Sequence, residues 1–188
     1  TFPMTIPNLI SIFRIILVPI FLVFIINNRF LAGLMIFVLA GVSDAADGFV
    51  ARLFNQKSRL GSYLDPLADK CLLVASFICL TTMQIIPLWL TVLVITRDSL
   101  ILLGSLILFL KNGAYTVKPS MWGKATTFLQ LATVFLVLFE KHFHLFSQYV
   151  YVVYGATGTL TVTSGLLYIR SWFLTMKDDL KNRPPRTQ

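Results

Sequence analysis

The chain has 188 residues, of which 56% are hydrophobic and 13% are charged. Soluble domains are about 45–50% apolar and about 25% charged. This balance, together with a mean hydropathy of +0.79, indicates a membrane protein and argues against a soluble domain. The net charge of +8 does not predict a nucleic-acid partner, because the basic residues lie between and after apolar runs and form no stripe on a polar background.

Six apolar runs follow one another with short connections, and each is close to the roughly 20 residues that a helical span requires. The first run lacks the charged flank and cleavage site of a secretory signal, so it is predicted to be a retained span. The predicted fold is an all-α integral membrane protein, a six-transmembrane-helix bundle over residues 1–176 with a basic cytoplasmic tail over residues 177–188. In chain order the runs are Ile6–Ile26, Phe30–Arg52, Leu60–Thr82, Pro87–Leu110, Ser120–Glu140 and Phe146–Trp172.

Lysine and arginine cluster on alternate connections of this predicted bundle. Basic residues at or after the ends of the second, fourth and sixth runs are Arg52, Lys57, Arg59, Lys111, Lys118, Lys124, Arg170, Lys177, Lys181, Arg183 and Arg186. The opposite side carries Arg29 and Lys141. The positive-inside rule then places both termini in the cytoplasm. Trp89, Trp122 and Trp172 lie near predicted span ends, where tryptophan serves as an interfacial anchor.

Two pairs of acids lie inside these apolar runs, where an ionised side chain costs at least about 2.5–3.5 kcal/mol. Asp44 and Asp47 are three residues apart, and Asp65 and Asp69 are four apart, so each pair shares one helix face. The short connection between the two helices makes them antiparallel neighbours. Their acidic faces are therefore expected to meet near the cytosolic end, as a site for hard divalent cations such as Mg²⁺ or Mn²⁺.

Glycines accompany these acids at Gly41, Gly48 and Gly61. A missing side chain lets a bulky ligand approach the predicted metals closely. Tight helix packing through small residues is the alternative at each of the three positions.

The segment Asp44–Asp69 fits the pattern D-x2-D-G-x2-A-R-x8-G-x3-D-x3-D without a mismatch. In this pattern the chain resembles the CDP-alcohol phosphotransferase (CDP-alcohol phosphatidyltransferase) family. Further segments resemble the branch of phosphatidylglycerophosphate synthases and cardiolipin synthases. These are Ile6-Pro7-Asn8 with Arg14, the run Leu64–Lys70, and Arg97-Asp98.

The resemblance implies a homodimer of six-helix chains whose catalytic domain holds two divalent metal ions at the cytosolic interface. It implies that Asp44, Asp47 and Asp65 are metal ligands and that Asp69 is both a ligand and the general base. It also implies a reaction in which the phosphatidyl group of CDP-diacylglycerol is transferred to an alcohol acceptor and CMP leaves, without a covalent enzyme intermediate. The residues implied to line the cytidine diphosphate site are Asp44, Gly48, Ala51, Arg52, Gly61 and Asp65.

The acceptor site is predicted from basic residues. Arg97 lies inside an apolar run and requires an anion. That anion is either an acceptor phosphate or one of the motif aspartates. Arg14 and Lys70 either bind a substrate phosphate or extend to the helix ends. Lys118, Lys124 and Arg170 are candidates for the same phosphate or ordinary positive-inside residues.

Glycerol 3-phosphate is the first predicted acceptor, which corresponds to a phosphatidylglycerophosphate synthase. Phosphatidylglycerol, the acceptor of a cardiolipin synthase, is the alternative, and the Arg97-Asp98 pair favours it because the other branch often carries Arg-Glu there. Serine or an inositol compound are further acceptors. A channel or transporter with an acidic ion path is the non-enzyme alternative, and an inactive partner subunit is a third. A bacterial inner membrane, with the active site on its cytoplasmic face, is the expected location.

Three other features are assigned no function. His142 and His144, with Glu140 nearby, are predicted to form a surface loop on the outer side of the membrane, away from the acids. Cys71 and Cys79 are eight residues apart, which is roughly 12 Å along a helix and too far for a disulfide. Both cysteines are therefore predicted to be buried apolar residues.

Overall fold

The computed structural model describes the backbone of residues 6–54, 61–112, 121–145 and 147–181. Side chains are described for residues 12–43, 70–104, 121–145 and 147–171. Within these ranges the chain is all-helical, and each of the six predicted apolar runs forms a helix. The helices are α1 (Ile6–Ile26), α2 (Phe30–Phe54), α3 (Gly61–Thr82), α4 (Leu88–Asn112), α5 (Met121–Phe143) and α6 (Val150–Lys181).

The predicted boundaries of the last helix were wrong at both ends. α6 begins at Val150 instead of Phe146, because a turn occupies residues 147–149. It continues to Lys181 instead of ending at Trp172, so the first residues of the predicted tail are helical. Hydropathy marks where a chain leaves the apolar phase, whereas residues such as Met, Lys and Leu continue a helix in water.

The helices α1, α3 and α5 end at residues in the left-handed backbone region: Asn28 (φ 59°), Gln84 (φ 58°) and His144 (φ 54°). At the first of these ends, the backbone N–H of Asn28 donates to the carbonyl oxygen of Ile25 at 2.9 Å. This conformation closes a helix and satisfies its last carbonyl groups. The chain therefore turns within a few residues after each of these three helices.

The helix contacts place α2 and α3 around common neighbours. α1 packs against both of them, and α5 also contacts both, while α4 and α5 each pack against α6. Phe21 of α1 and Phe37 of α2 are buried with their ring centroids 6.0 Å apart. Phe77 of α3, Leu90 of α4 and Val134 of α5 are fully buried in the same apolar core. The described packing reaches α2 and α3 through α1 and α5, so the expectation that α2 and α3 are antiparallel neighbours stays a prediction.

The outer surface of the bundle is strongly apolar. Met35, Phe128 and Val152 are each about two-thirds exposed or more, at 66%, 74% and 68%. Among the described residues, two helical segments are long and apolar enough to cross a membrane, Met121–Phe143 and Val150–Ser171. An outer surface of this kind suits contact with hydrocarbon and supports membrane association.

A polar seam joins α5 to α6. Thr126, Gln130 and Thr133 of α5 are completely buried, and their spacing puts them on one helix face. The Oγ1 atoms of Thr133 and Thr157 are 2.7 Å apart, and Nε2 of Gln130 donates to Oγ1 of Thr161 at 3.3 Å. Interhelical hydrogen bonds of this kind hold helices together where the surrounding solvent is apolar. The seam extends along α6 to Ser164, which belongs to the site described below.

The prediction for the cysteines was wrong for one of the two. Cys79 is buried as expected, but Cys71 is exposed on α3. An apolar run identifies a helix without identifying which of its faces meets another helix. Cys71 lies on the face of α3 that points away from its neighbours.

Candidate active site

The four motif acids lie on two helices. Asp44 and Asp47 are in the second half of α2, and Asp65 and Asp69 are in the first half of α3. The backbone at all four positions is helical, so the spacings of three and four residues do put each pair on one helix face. The side chains of residues 44–69 lie outside the described ones, so the meeting of the two acidic faces stays a prediction.

The same limit applies to the residues implied to contact cytidine diphosphate. Ala51 and Arg52 lie on α2 with Gly48, and Gly61 is the first residue of α3. Gly41 is described, and a Cβ atom added there would meet no described atom within 4 Å. Gly41 is exposed, so tight helix packing is not observed at this position among the described residues.

A buried ion cluster begins one residue after the motif. Nζ of Lys70 on α3 lies 2.6 Å from Oδ2 of Asp98 on α4. The other carboxylate oxygen, Oδ1, accepts a hydrogen bond from Nη1 of Arg97 at 2.7 Å. The carboxylate of Asp98 therefore bridges two cations, and it is 3% exposed. We call Lys70, Arg97 and Asp98 the ion cluster.

Arg97 connects this cluster to α5 and α6. Its Nη2 atom donates to Oγ of Ser164 at 3.1 Å and to the carbonyl oxygen of Gly123 at 3.3 Å. Its side chain is 6% exposed, and its Nε atom is buried with no hydrogen-bond partner among the described residues. Gly165 of α6 lies beside the arginine, since a Cβ atom there would be in ordinary van der Waals contact with Cγ of Arg97, at 3.8 Å. Four helices, α3 to α6, thus converge on the ion cluster.

The ion cluster retains one positive charge, because it contains two basic groups and one carboxylate. A buried charge is stable only when another group compensates it. The unused Nε–H group of Arg97 is also a donor without an acceptor, which costs free energy in a buried position. Among the residues whose side chains are described, both features fit a site for an anion.

The other residues predicted to bind the acceptor differ in their exposure. Arg14 on α1 is 1% exposed, so it lies inside the bundle and does not extend to an exposed helix end. Lys124 and Arg170 are exposed. Lys124 directly follows Gly123, whose carbonyl group binds Arg97, and Arg170 lies about 9 Å along α6 from Ser164. Lys118 lies outside the described residues.

One alternative from the sequence pairs Arg97 with a motif aspartate. The structure pairs it with Asp98, the next residue in the chain. In the sequence, Asp98 was used only to compare branches of the family. Adjacent residues on a helix do not normally face one another, so helix periodicity does not predict this pair. An arginine side chain is long enough to reach back, and an Arg-Asp pair inside an apolar run is the signal that indicates it.

The histidines lie at the other end of the bundle. His142 is in the last turn of α5 instead of in a loop, and His144 follows that helix; both are exposed. Glu140, one turn before His144, is buried.

The fold and the ion cluster define a class of protein: a membrane-associated helical bundle with a charged site between its helices. The chain belongs to the CDP-alcohol phosphatidyltransferase family, whose model matches residues 4–175. The resemblance seen in the motif is therefore confirmed over most of the chain.

Individual relatives fall into two kinds. A CMP-forming cardiolipin synthase of Rattus norvegicus is 36% identical over 185 residues, which cover 88% of this chain and 61% of the rat protein. A CMP-forming cardiolipin synthase of Streptomyces coelicolor is 38% identical over 131 residues, or 66% of this chain and 60% of that protein. The CDP-diacylglycerol--glycerol-3-phosphate 3-phosphatidyltransferase of Aquifex aeolicus is 32% identical over 173 residues, or 90% and 92%. The chain thus spans only about 60% of the length of these two cardiolipin synthases.

Proposed function

We propose that this chain is a polytopic membrane enzyme that transfers a phosphatidyl group from CDP-diacylglycerol to a glycerol-containing phosphate acceptor, with release of CMP. The observation that carries the proposal is the position of the ion cluster directly after the complete aspartate motif. A donor site and an anion site are then adjacent on α3. Membership of the CDP-alcohol phosphatidyltransferase family supports the same chemistry.

The residues of the motif fit a pair of hard divalent cations. Asp44, Asp47, Asp65 and Asp69 offer carboxylate oxygens, which are the ligands that Mg²⁺ and Mn²⁺ prefer. We propose that these four residues hold two such ions. The chemistry that bound ions supply is neutralisation of the charge on a diphosphate group.

In the proposed reaction the acceptor hydroxyl oxygen forms a bond to the phosphorus of the phosphatidyl group. The bond between that phosphorus and the bridging diphosphate oxygen breaks, and CMP leaves. Asp69 takes the proton of the acceptor hydroxyl as general base. Residues proposed to hold the cytidine diphosphate are Asp44, Gly48, Ala51, Arg52, Gly61 and Asp65.

The ion cluster is proposed to bind the phosphate of the acceptor. Its residual positive charge attracts an anion, and the free Nε–H group of Arg97 offers a charge-assisted hydrogen bond. Arg14 would add a second buried guanidinium group. Lys118, Lys124 and Arg170 would guide the phosphate from solvent.

Glycerol 3-phosphate is the first candidate for the acceptor. The Aquifex glycerol-3-phosphate phosphatidyltransferase aligns over 92% of its length, so this chain has nearly the same extent as an enzyme with that substrate in its name. A small phosphomonoester would need only the space between α3, α4 and α6.

Phosphatidylglycerol is the second candidate, and the geometry of Asp98 favours it. The carboxylate neutralises one of the two cations in the cluster, so less positive charge remains for a doubly charged phosphomonoester. A phosphodiester carries a single negative charge and matches the remaining charge. The cardiolipin synthases among the relatives support this candidate.

We further propose six transmembrane spans, both termini in the cytoplasm, a homodimer, and an active site at the cytoplasmic face of a bacterial inner membrane. The distribution of basic residues along the chain supports the orientation. The family supports a membrane location.

The deciding experiment measures CMP release by the purified protein with CDP-diacylglycerol, Mg²⁺ or Mn²⁺, and either glycerol 3-phosphate or phosphatidylglycerol. We expect release with one of the two acceptors, complete loss after chelation by EDTA, and recovery when the metal is returned. No release with either acceptor would favour the transporter alternative.

The general base is tested by Asp69→Asn, which removes the proton acceptor and preserves the side-chain size. We expect CMP release to fall by at least about 100-fold, within the range that general base catalysis contributes, while the protein remains folded by circular dichroism. Asp178→Asn in α6 makes the same chemical change away from the motif and should retain normal activity. A rate near that of the unmodified protein in Asp69→Asn would exclude the assigned base.

A further inference from the structure

A cavity of about 520 Å³ opens at the end of the bundle opposite the aspartate motif. It lies between the turn after α3, the last turn of α5 and the first two turns of α6. Asp65 and Gln84 are separated by 19 residues of α3 and its cap, which is about 28 Å along the helix axis. The cavity is therefore separate from the proposed active site. The lining residues that matter below are Gln84, Trp89, Glu140, Lys141, His144 and Tyr151.

The polar groups of this cavity are arranged by depth. Glu140 is 7% exposed and forms part of the cavity wall below the surface. Lys141 and His144 are exposed at the rim. A carboxylate inside the cavity and the ammonium group of Lys141 at its mouth complement a ligand with both charges, the cationic part entering first.

Aromatic side chains form a further part of the cavity wall. Trp89 and Tyr151 are exposed beside the cavity. Tyr154 is buried, and its hydroxyl group donates to the carbonyl oxygen of Ile85 at 2.8 Å, which ties α6 to the turn after α3. Aromatic faces next to a carboxylate attract an organic ammonium group. The tie through Tyr154 makes this wall a fixed part of the fold.

An apolar groove of about 220 Å³ adjoins the cavity. It is lined by Leu136, Tyr149 and Val153, and it shares Val137, Glu140 and Val150 with the cavity. A polar cavity beside an apolar groove matches a molecule with a polar head and a hydrocarbon chain. Because the outer surface of the chain is so apolar, a membrane phospholipid is the molecule that we expect in the cavity and the groove.

We propose that this cavity is a binding site for a zwitterionic phospholipid that carries a primary ammonium group. The ammonium group binds Glu140 beside the rings of Trp89 and Tyr151. The phosphate lies at the rim against Lys141 and His144, where charge-assisted hydrogen bonds are available. One acyl chain occupies the apolar groove. The site does not depend on the proposed transferase reaction.

The test compares phosphatidylethanolamine with its N-acetyl derivative of the same acyl chains, which lacks the ammonium charge. Binding to the detergent-purified full chain is measured by native mass spectrometry. We expect the ammonium lipid to bind about tenfold more tightly, the effect of one charge-assisted contact. Glu140→Gln should bring the two affinities together while leaving CMP release unchanged.

A second variant keeps the test decisive if Glu140→Gln does not fold. Gly155 lines the cavity, and a Cβ atom added there would meet nothing within 4 Å, so Gly155→Leu places a side chain in open space. We expect this variant to fold and to lose the preference for the ammonium lipid. Ala156→Leu changes the exposed next residue on α6, outside the cavity lining, and should retain it. Equal affinity of the two lipids for the unmodified chain, or an unchanged preference in Gly155→Leu, would overturn the proposal.

Discussion

The buried carboxylate of Asp98 binds two cationic side chains. Its two oxygens bind different cations on different helices, Lys70 at 2.6 Å and Arg97 at 2.7 Å. Removing one partner from a buried ion pair is more costly than replacing the whole pair, because the remaining charge loses its compensation. Asp98 therefore has a larger effect on stability than a surface acid would have.

For the variant Asp98→Asn we expect the free energy of unfolding to fall by about 3 kcal/mol or more. The amide leaves Arg97 and Lys70 close together without a shared counter-charge. Denaturant unfolding of the purified protein, followed by circular dichroism, measures the change. Ser99→Ala, at the exposed neighbouring position on α4, should unfold like the unmodified protein. An Asp98→Asn midpoint equal to that of the control would show that the pair contributes no net stability.

At the scale of the helices, Gly158 allows a close approach between α4 and α6. A Cβ atom at Gly158 would lie 2.6 Å from Cζ3 and 3.0 Å from Cη2 of Trp89. The indole ring is rigid, so the clash cannot be relieved by rotating a chain end, and the helices themselves would have to separate. Small residues at helix interfaces have this role in membrane proteins.

We expect Gly158→Leu to destabilise the bundle by about 1–3 kcal/mol, the range for overpacking a well-filled contact. The thermal unfolding midpoint in detergent is the measurement. Gly155→Leu is the matched comparison, because it makes the same substitution one turn earlier on the same helix at a position with open space. Equal midpoints for the two variants would show that the approach of Trp89 to α6 is not a stabilising contact.

At the scale of the whole molecule, alternation of the helices predicts which residues share one side of the membrane. The connections that contain Asn28, Gln84 and His144 follow α1, α3 and α5, so they lie at one end of the bundle. The proposed orientation puts that end outside and the tail after α6 inside.

This orientation is tested with single cysteines introduced into a chain in which Cys71 and Cys79 are replaced by alanine. A membrane-impermeant maleimide added to intact cells is expected to label Arg29→Cys and to leave Thr187→Cys unlabelled. Inverted membrane vesicles should give the opposite pattern, because the inner face is then accessible. Labelling of both positions from the same side would contradict the odd number of spans, α2 to α6, that lies between them.

Much of the helical framework could be predicted from local sequence. The first helix, Ile6–Ile26, was predicted with the observed bounds, because its apolar run ends at the residues that form the cap. The bounds of α6 could not be predicted in this way, since its last turns are polar and remain helical in solvent. The two aspartate pairs and the family were identified from fixed spacings. Contact between the aspartate side chains of α2 and those of α3 stays a prediction.

The sequence by itself determined the helical class, the spacing of Asp44, Asp47, Asp65 and Asp69, and the family, because all of these depend on the order of residues along one chain. Only the tertiary structure decided that Asp98 joins Lys70 to Arg97, that Arg97 reaches Ser164, and that a cavity encloses Glu140. The first two contacts join residues 28 and 67 positions apart. Such contacts depend on how each helix is rotated about its axis, and a one-dimensional pattern of apolar residues leaves that rotation open.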